Sequence, residues 1–128
     1  MEWGVKGGRN THYTDGNDAF YQFIGENINF PVKARSSGKS GYVYISFQID
    51  SVGQLTNIAI AQDIGGGCAE EVIRVLKKLP GEFIGNRDHS TFILPVLFRN
   101  SYSTKKFSPP ETMPGKILPE LVVTSYAN

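Results

Sequence analysis

Residues 41–62 read GYVYISFQIDSVGQLTNIAIAQ, and this run decides the fold. Val43, Ile45, Phe47 and Ile49 alternate with Tyr44, Ser46, Gln48 and Asp50. One face is wholly apolar and the other mostly polar, the pattern of a half-buried antiparallel strand. Asp50-Ser51-Val52-Gly53 is a tight turn, with glycine placed for positive φ. A second strand follows over Leu55–Gln62. Ile58 and Ile60 share a face while Leu55 is out of phase with them, so a bulge near Asn57 is expected. Together the two runs form a β-hairpin.

Outward from the hairpin, Gly65-Gly66-Gly67 breaks the chain before a helix over Cys68–Leu79. Val72, Val75, Leu76 and Leu79 make its apolar stripe. Glu70 and Glu71 in its first turn and Lys77 and Lys78 in its last both suit the helix dipole. Pro80-Gly81 stops it. A third strand covers Thr91–Arg99, with Phe92, Leu94, Val96 and Phe98 on one face. Pro95 cannot donate to a ladder, which marks an edge strand. On the other side of the hairpin, Phe20, Phe23, Ile24 and Ile28 fall at helical spacing. A helix over Asp18–Asn27 is therefore expected, with Asp18 as N-cap and Phe30-Pro31 beyond its end. The spacing thus predicts an α+β domain in the order α-β-β-α-β, a three-stranded antiparallel sheet with two helices on one face. It occupies residues 18–99. Residues 1–17, rich in Gly, Asn and Thr, form a flexible lead-in. Residues 100–128 are a tail punctuated by Pro109, Pro110, Pro114 and Pro119 that ends in a strand-like run.

Composition narrows the function classes. The chain has 128 residues, 40% of them hydrophobic and 20% charged, enough for one small core and unlike a disordered segment. A net charge of +1 recommends neither nucleic acid nor a membrane surface. The single cysteine, Cys68, excludes an intrachain disulfide. With only His12 and His89 for histidines, no metal site and no cofactor are expected. No run of eighteen apolar residues spans a bilayer.

Few residues invite catalytic readings. The glycines at 65–67 lack the lysine of a phosphate loop and lead into two carboxylates that would repel phosphate. Cys68 lies at a helix N-terminus, where a dipole lowers a thiol pKa, but Glu70 and Glu71 oppose a thiolate. The bland reading is a small buried hydrophobe. Arg99, Lys105 and Lys106 read as a solvated basic patch. The residue chemistry therefore points away from an enzyme and toward a binding module whose offer to a partner is an exposed sheet edge.

Three blocks in order carry a family resemblance. The first is AFYQFIGENINFPVKA, Ala19–Ala34, with an aromatic-proline-x-x-alanine signature at Phe30-Pro31-Val32-Lys33-Ala34. The second is the hairpin, glycine turn and helix of Gly41–Pro80. The third is STFILPVLF, Ser90–Phe98. The ordered set resembles the C-terminal domain of TonB, the periplasmic energy transducer, in its Bacteroidetes-type form. Phe83 stands where that family often has tryptophan. The resemblance implies a sheet order of second, first, third strand, leaving Thr91–Arg99 as an open edge. It implies that outer-membrane TonB-dependent receptors add a short segment, the TonB box, to that edge. The partner-binding residues would be Thr91, Ile93, Pro95, Leu97 and Arg99, with Phe30 and Pro31. It further implies a periplasmic domain of a protein anchored in the inner membrane. That protein would reach motor proteins through an N-terminal anchor that these 128 residues do not contain. The alternative is the same fold serving as a structural or sensory domain of another membrane protein, without receptor contact.

The tail adds one expectation. Glu120-Leu121-Val122-Val123-Thr124 itself resembles a TonB box. Leu121, Val122, Val123 and Thr124 either belong to a free terminus or dock as a strand, on the domain's own edge or on that of a strand-swapped homodimer. Docked, they would compete with receptor peptides.

Overall fold

A computed structural model describes residues 17–79, 90–100 and 115–125. Several expectations lie outside these residues. They concern the lead-in, the Pro80-Gly81 stop, Phe83, both histidines, Lys105, Lys106, and the prolines at 109, 110 and 114. The capping role of Asp18 also falls outside the described side chains.

The elements run α1 (Asn17–Asn27), α2 (Val32–Ser36), β1 (Gly41–Ile49), β2 (Leu55–Gln62), α3 (Cys68–Leu76), β3 (Thr91–Asn100), β4 (Lys116–Ile117) and β5 (Leu121–Ser125). The fold is α+β, and β1 pairs antiparallel with both β2 and β3. The strand order is β2-β1-β3-β4, with β5 also paired to β3.

The hairpin closes as its residues dictate. Asp50 Oδ1 accepts the N–H groups of Val52 and Gln54 at 3.0 and 2.9 Å, and Gly53 takes φ 92°. Asn57 carries a positive φ of 51°, which asparagine tolerates better than most residues. There β2 spends one extra residue: Thr56 faces Gln48 while Ala59 faces Ser46. This bulge brings Leu55, opposite Ile49, and Ile60, opposite Ile45, onto the same face.

Phe47, Phe92, Phe98, Ile45, Leu94 and Val43 form the buried centre under α1 and α3. Phe47 and Phe92 stack across β1 and β3 with centroids 5.9 Å apart. Phe20 and Ile24 of α1 and Val72, Val75 and Leu76 of α3 complete the layer. The two helices are tied by Glu71. It accepts the Asn29 N–H at 2.8 Å and pairs with Arg74, whose Nη2 also donates to Asn27 O. Gly66 lies so close to Ala34 that a Cβ would sit 2.7 Å from the alanine methyl. The glycine turn and the alanine of the Phe30–Ala34 signature thus pack against each other.

Four expectations need correction. Among the described residues the sheet has five strands rather than three, because two tail segments join it. There are three helices among the described residues: α2 occupies the Val32–Ser36 stretch that carried no helical periodicity. Ile60 is 44% exposed and is not a core residue. The bulge sets its face correctly, but β2 is the outermost strand and the helices do not cover its far end. Finally, α3 ends at Leu76, with Leu79 half-buried beyond it.

Candidate functional site: the β3 edge and its resident strand

The third strand is not an open edge. Along its side away from β1 it pairs in parallel with β4, Phe92 opposite Lys116 and Ile93 opposite Ile117. Further on it pairs in parallel with β5, from Val96 opposite Leu121 to Asn100 opposite Ser125. The tail therefore lies along the very main chain that the family resemblance assigns to partners.

Backbone geometry shows which groups an added strand would use. Leu118 N–H donates to Ile93 O at 2.8 Å, whereas Asn100 N–H points the other way, to Ser40 Oγ at 2.8 Å. Main-chain groups alternate along a strand, so Ile93, Leu97 and Arg99 present theirs to the tail. Pro95 falls on the same side and has no N–H to give. At that level the ladder breaks. Two residues of β3, Leu94 and Pro95, span the gap filled by three of the tail, Leu118 to Glu120. Pro95 thus sits where the ladder breaks, but β3 is an inner strand and the edge reading is overturned.

The side chains of the expected site divide by face. Ile93 and Leu97 lie with Tyr42 and Tyr44 in a second apolar cluster, on the face away from the helices. Pro95 is buried opposite Tyr44, and Arg99 is exposed opposite Thr124. Thr91 is half-buried against Gln48, whose Nε2 donates to its Oγ1 at 3.4 Å. Phe30 packs edge-on to Phe98 at 5.5 Å, bracing the end of β3 from the helix side. Pro31, half-buried, opens α2. On the tail, Val123 and Leu118 enter the main core and Leu121 packs against it, while Val122 is exposed. Gly115 begins the segment where a Cβ would meet Thr91 O at 2.8 Å, so only glycine lets the chain come this near.

Sequence reasoning missed the residues that hold the tail. Tyr42 Oη donates to Glu120 Oε1 at 2.9 Å, and Tyr21 Oη donates to Pro119 O at 2.7 Å. Burial, then the hydrogen bond and charge of Glu120, push the Tyr42 phenol up to about 12. Burial and the same carboxylate raise Tyr44, and burial alone raises Tyr21. The available signal was a pair of tyrosines on the nominally polar face of β1, which marks a covered face rather than a wet one. Cys68, by contrast, lies inside the main core. It is buried, and burial followed by the charges of Asp63 and Glu70 pushes its thiol up to about 12. No helix among the described residues is long and apolar enough to cross a membrane.

A sheet with helices on one face and the chain's own tail seated along β3 defines the class, a small α+β domain. The family model for the C-terminal region of the Gram-negative bacterial TonB protein matches residues 26–99, more than half of the chain. The chain belongs to that family. Among solved structures it is similar to the solution structure of the Helicobacter pylori TonB C-terminal domain, at 19% identity and a TM-score of 0.47. That match covers 70% of this chain and 94% of the other. No curated protein matches it.

Proposed function

We propose that this domain is the non-enzymatic, receptor-engaging part of a TonB-type energy transducer, working in the periplasm. It binds the TonB-box peptides of outer-membrane receptors by strand addition to β3 and so serves energised nutrient uptake. Its link to inner-membrane motor proteins would run through an anchor N-terminal to the domain. One observation carries this reading. The β3 edge holds Leu121–Ser125 in parallel through main-chain pairing, so its backbone groups are spaced to take an extended segment. An incoming peptide would replace that strand, and the tail acts as a tethered competitor. Tethering raises the local concentration of a strand to the millimolar range, of order ~1 mM for a flexible linker, so the apparent receptor affinity is lowered.

The occupied edge also favours a second reading, in which the tail closes the domain permanently and the fold is structural or sensory. Calorimetry on the full chain with a peptide from a receptor N-terminus separates the two. Saturable binding that is lost in Arg99→Pro, which deletes a tail-facing N–H beside an exposed side chain, supports strand addition. Undiminished binding in Arg99→Pro would remove β3 as the site. No binding to either chain would favour the closed domain.

A further inference from the structure

The resident strand is a cast of what the edge accepts, and its most specific part is not the β-run. At the break in the ladder, Leu118, Pro119 and Glu120 are each held differently. The Leu118 side chain is 2% exposed in the core, and its N–H meets Ile93 O. The Pro119 carbonyl takes the Tyr21 hydroxyl, from the helix layer. The Glu120 carboxylate takes the Tyr42 hydroxyl, from the opposite face of the sheet. Main-chain pairing along β5 is blind to side chains, whereas this clasp is not. Tyr42 lies in an apolar cluster with Tyr44, Ile93 and Leu97, so its hydroxyl has few alternatives once water is excluded. A buried donor left without an acceptor is costly, and a charged acceptor makes the stronger bond.

We propose that Tyr42 is a specificity-determining residue: it selects, among outside strands that could replace the tail, those with a carboxylate immediately ahead of the β-run. The partner is thus an acidic extended peptide of the pattern leucine, proline, acid, then alternating apolar residues. This rests on β3 being the receptor edge. Glutamine at the acid position still accepts a hydrogen bond but without charge, while lysine has no acceptor for the Tyr42 proton and can only donate to the phenol oxygen. The expected ranking is glutamate over glutamine over lysine, with about a tenfold step between the first two, the difference between a charge-assisted and a neutral hydrogen bond.

The test uses the full chain carrying Glu120→Lys, which loosens the resident strand from outside the core. Fluorescent peptides LPELVVTS, LPQLVVTS and LPKLVVTS are titrated by anisotropy, with and without Tyr42→Phe. That second change keeps the ring and its packing, and circular dichroism checks the fold. The expected result is about tenfold tighter binding of the glutamate peptide than of the glutamine peptide, falling to near parity in the Tyr42→Phe background. Equal affinities for the two, or a preference that survives Tyr42→Phe, overturns acid selection while leaving strand addition standing. Failure of every peptide to bind either chain overturns strand addition itself. A Glu120→Lys chain that forms dimers and excludes peptide makes a second copy the occupant and also overturns the proposal.

Discussion

Leu118→Ala separates a resident strand that can leave from one that is part of the folded core. Leu118 is almost fully buried, against the same cluster that contains Phe98 and Val123. Truncating such a leucine costs about 2–5 kcal/mol where the surroundings cannot relax. Here the segment has another option. If it comes off β3, the cavity is never formed, and the loss of global stability is capped by the docking free energy of the tail alone. Docking adds short strands with two buried side chains, Leu118 and Val123, to an already folded sheet. The expectation is therefore a modest global loss, below about 2 kcal/mol, in chemical denaturation. It comes with a marked rise in hydrogen exchange at Leu97 and Arg99, whose N–H groups face the tail. The amides of Val96 and Phe98, which face β1, should keep their protection. A loss at the upper end of the leucine range, with Leu97 exchanging only on global unfolding, would refute the idea of an exchangeable strand.

Other consequences follow from the core and from the titrating groups. Phe47→Ala, at the centre of the sheet, should cost about 3–5 kcal/mol, and a variant melting within a few degrees of the parent would mean the facing of β1 is wrong. Tyr42 holds its proton more tightly when folded than the ordinary phenol value of 10.0, up to about 12. Its stabilising part is thus fully present below pH ~10 and is lost as the pH climbs toward 12. An alkaline titration of tail docking should lose part of its slope in Tyr42→Phe. Tyr44 and Tyr21, also raised, supply the remainder, and an unchanged profile would exclude Tyr42. Cys68, with its thiol pushed up to about 12, should resist a thiol reagent at pH ~8 until the protein unfolds. Fast labelling of the native chain would reopen the thiol question.

Much of the fold is legible in residues 41–99 because alternation and helical spacing report which side of an element is apolar. The phase conflict between Leu55 and Ile58 even locates the bulge, since a single extra residue reverses strand facing. What periodicity cannot report is coverage. Ile60 has the right face and remains exposed because none of the described elements covers the rim of β2. Five-residue α2 is too short for a period, and its place depends on Ala34 meeting Gly66, a contact between segments far apart in sequence. The candidate site shows the same division. Pro95 and the strand-like run at Leu121–Ser125 are each visible alone, but their meeting requires the chain to return along β3. Tyr21 and Tyr42 become a clasp only after that return; the Tyr42 and Tyr44 pair marks a covered face but not what covers it.

The most direct test is a nuclear magnetic resonance titration of the isotope-labelled full chain with a receptor-box peptide. Exchange of one parallel strand for another should perturb the amides of Ile93, Leu97 and Arg99 while those of Leu121–Ser125 lose protection together. Perturbations confined to Leu55–Gln62, with the tail amides still protected, would contradict the assignment of β3 as the partner edge.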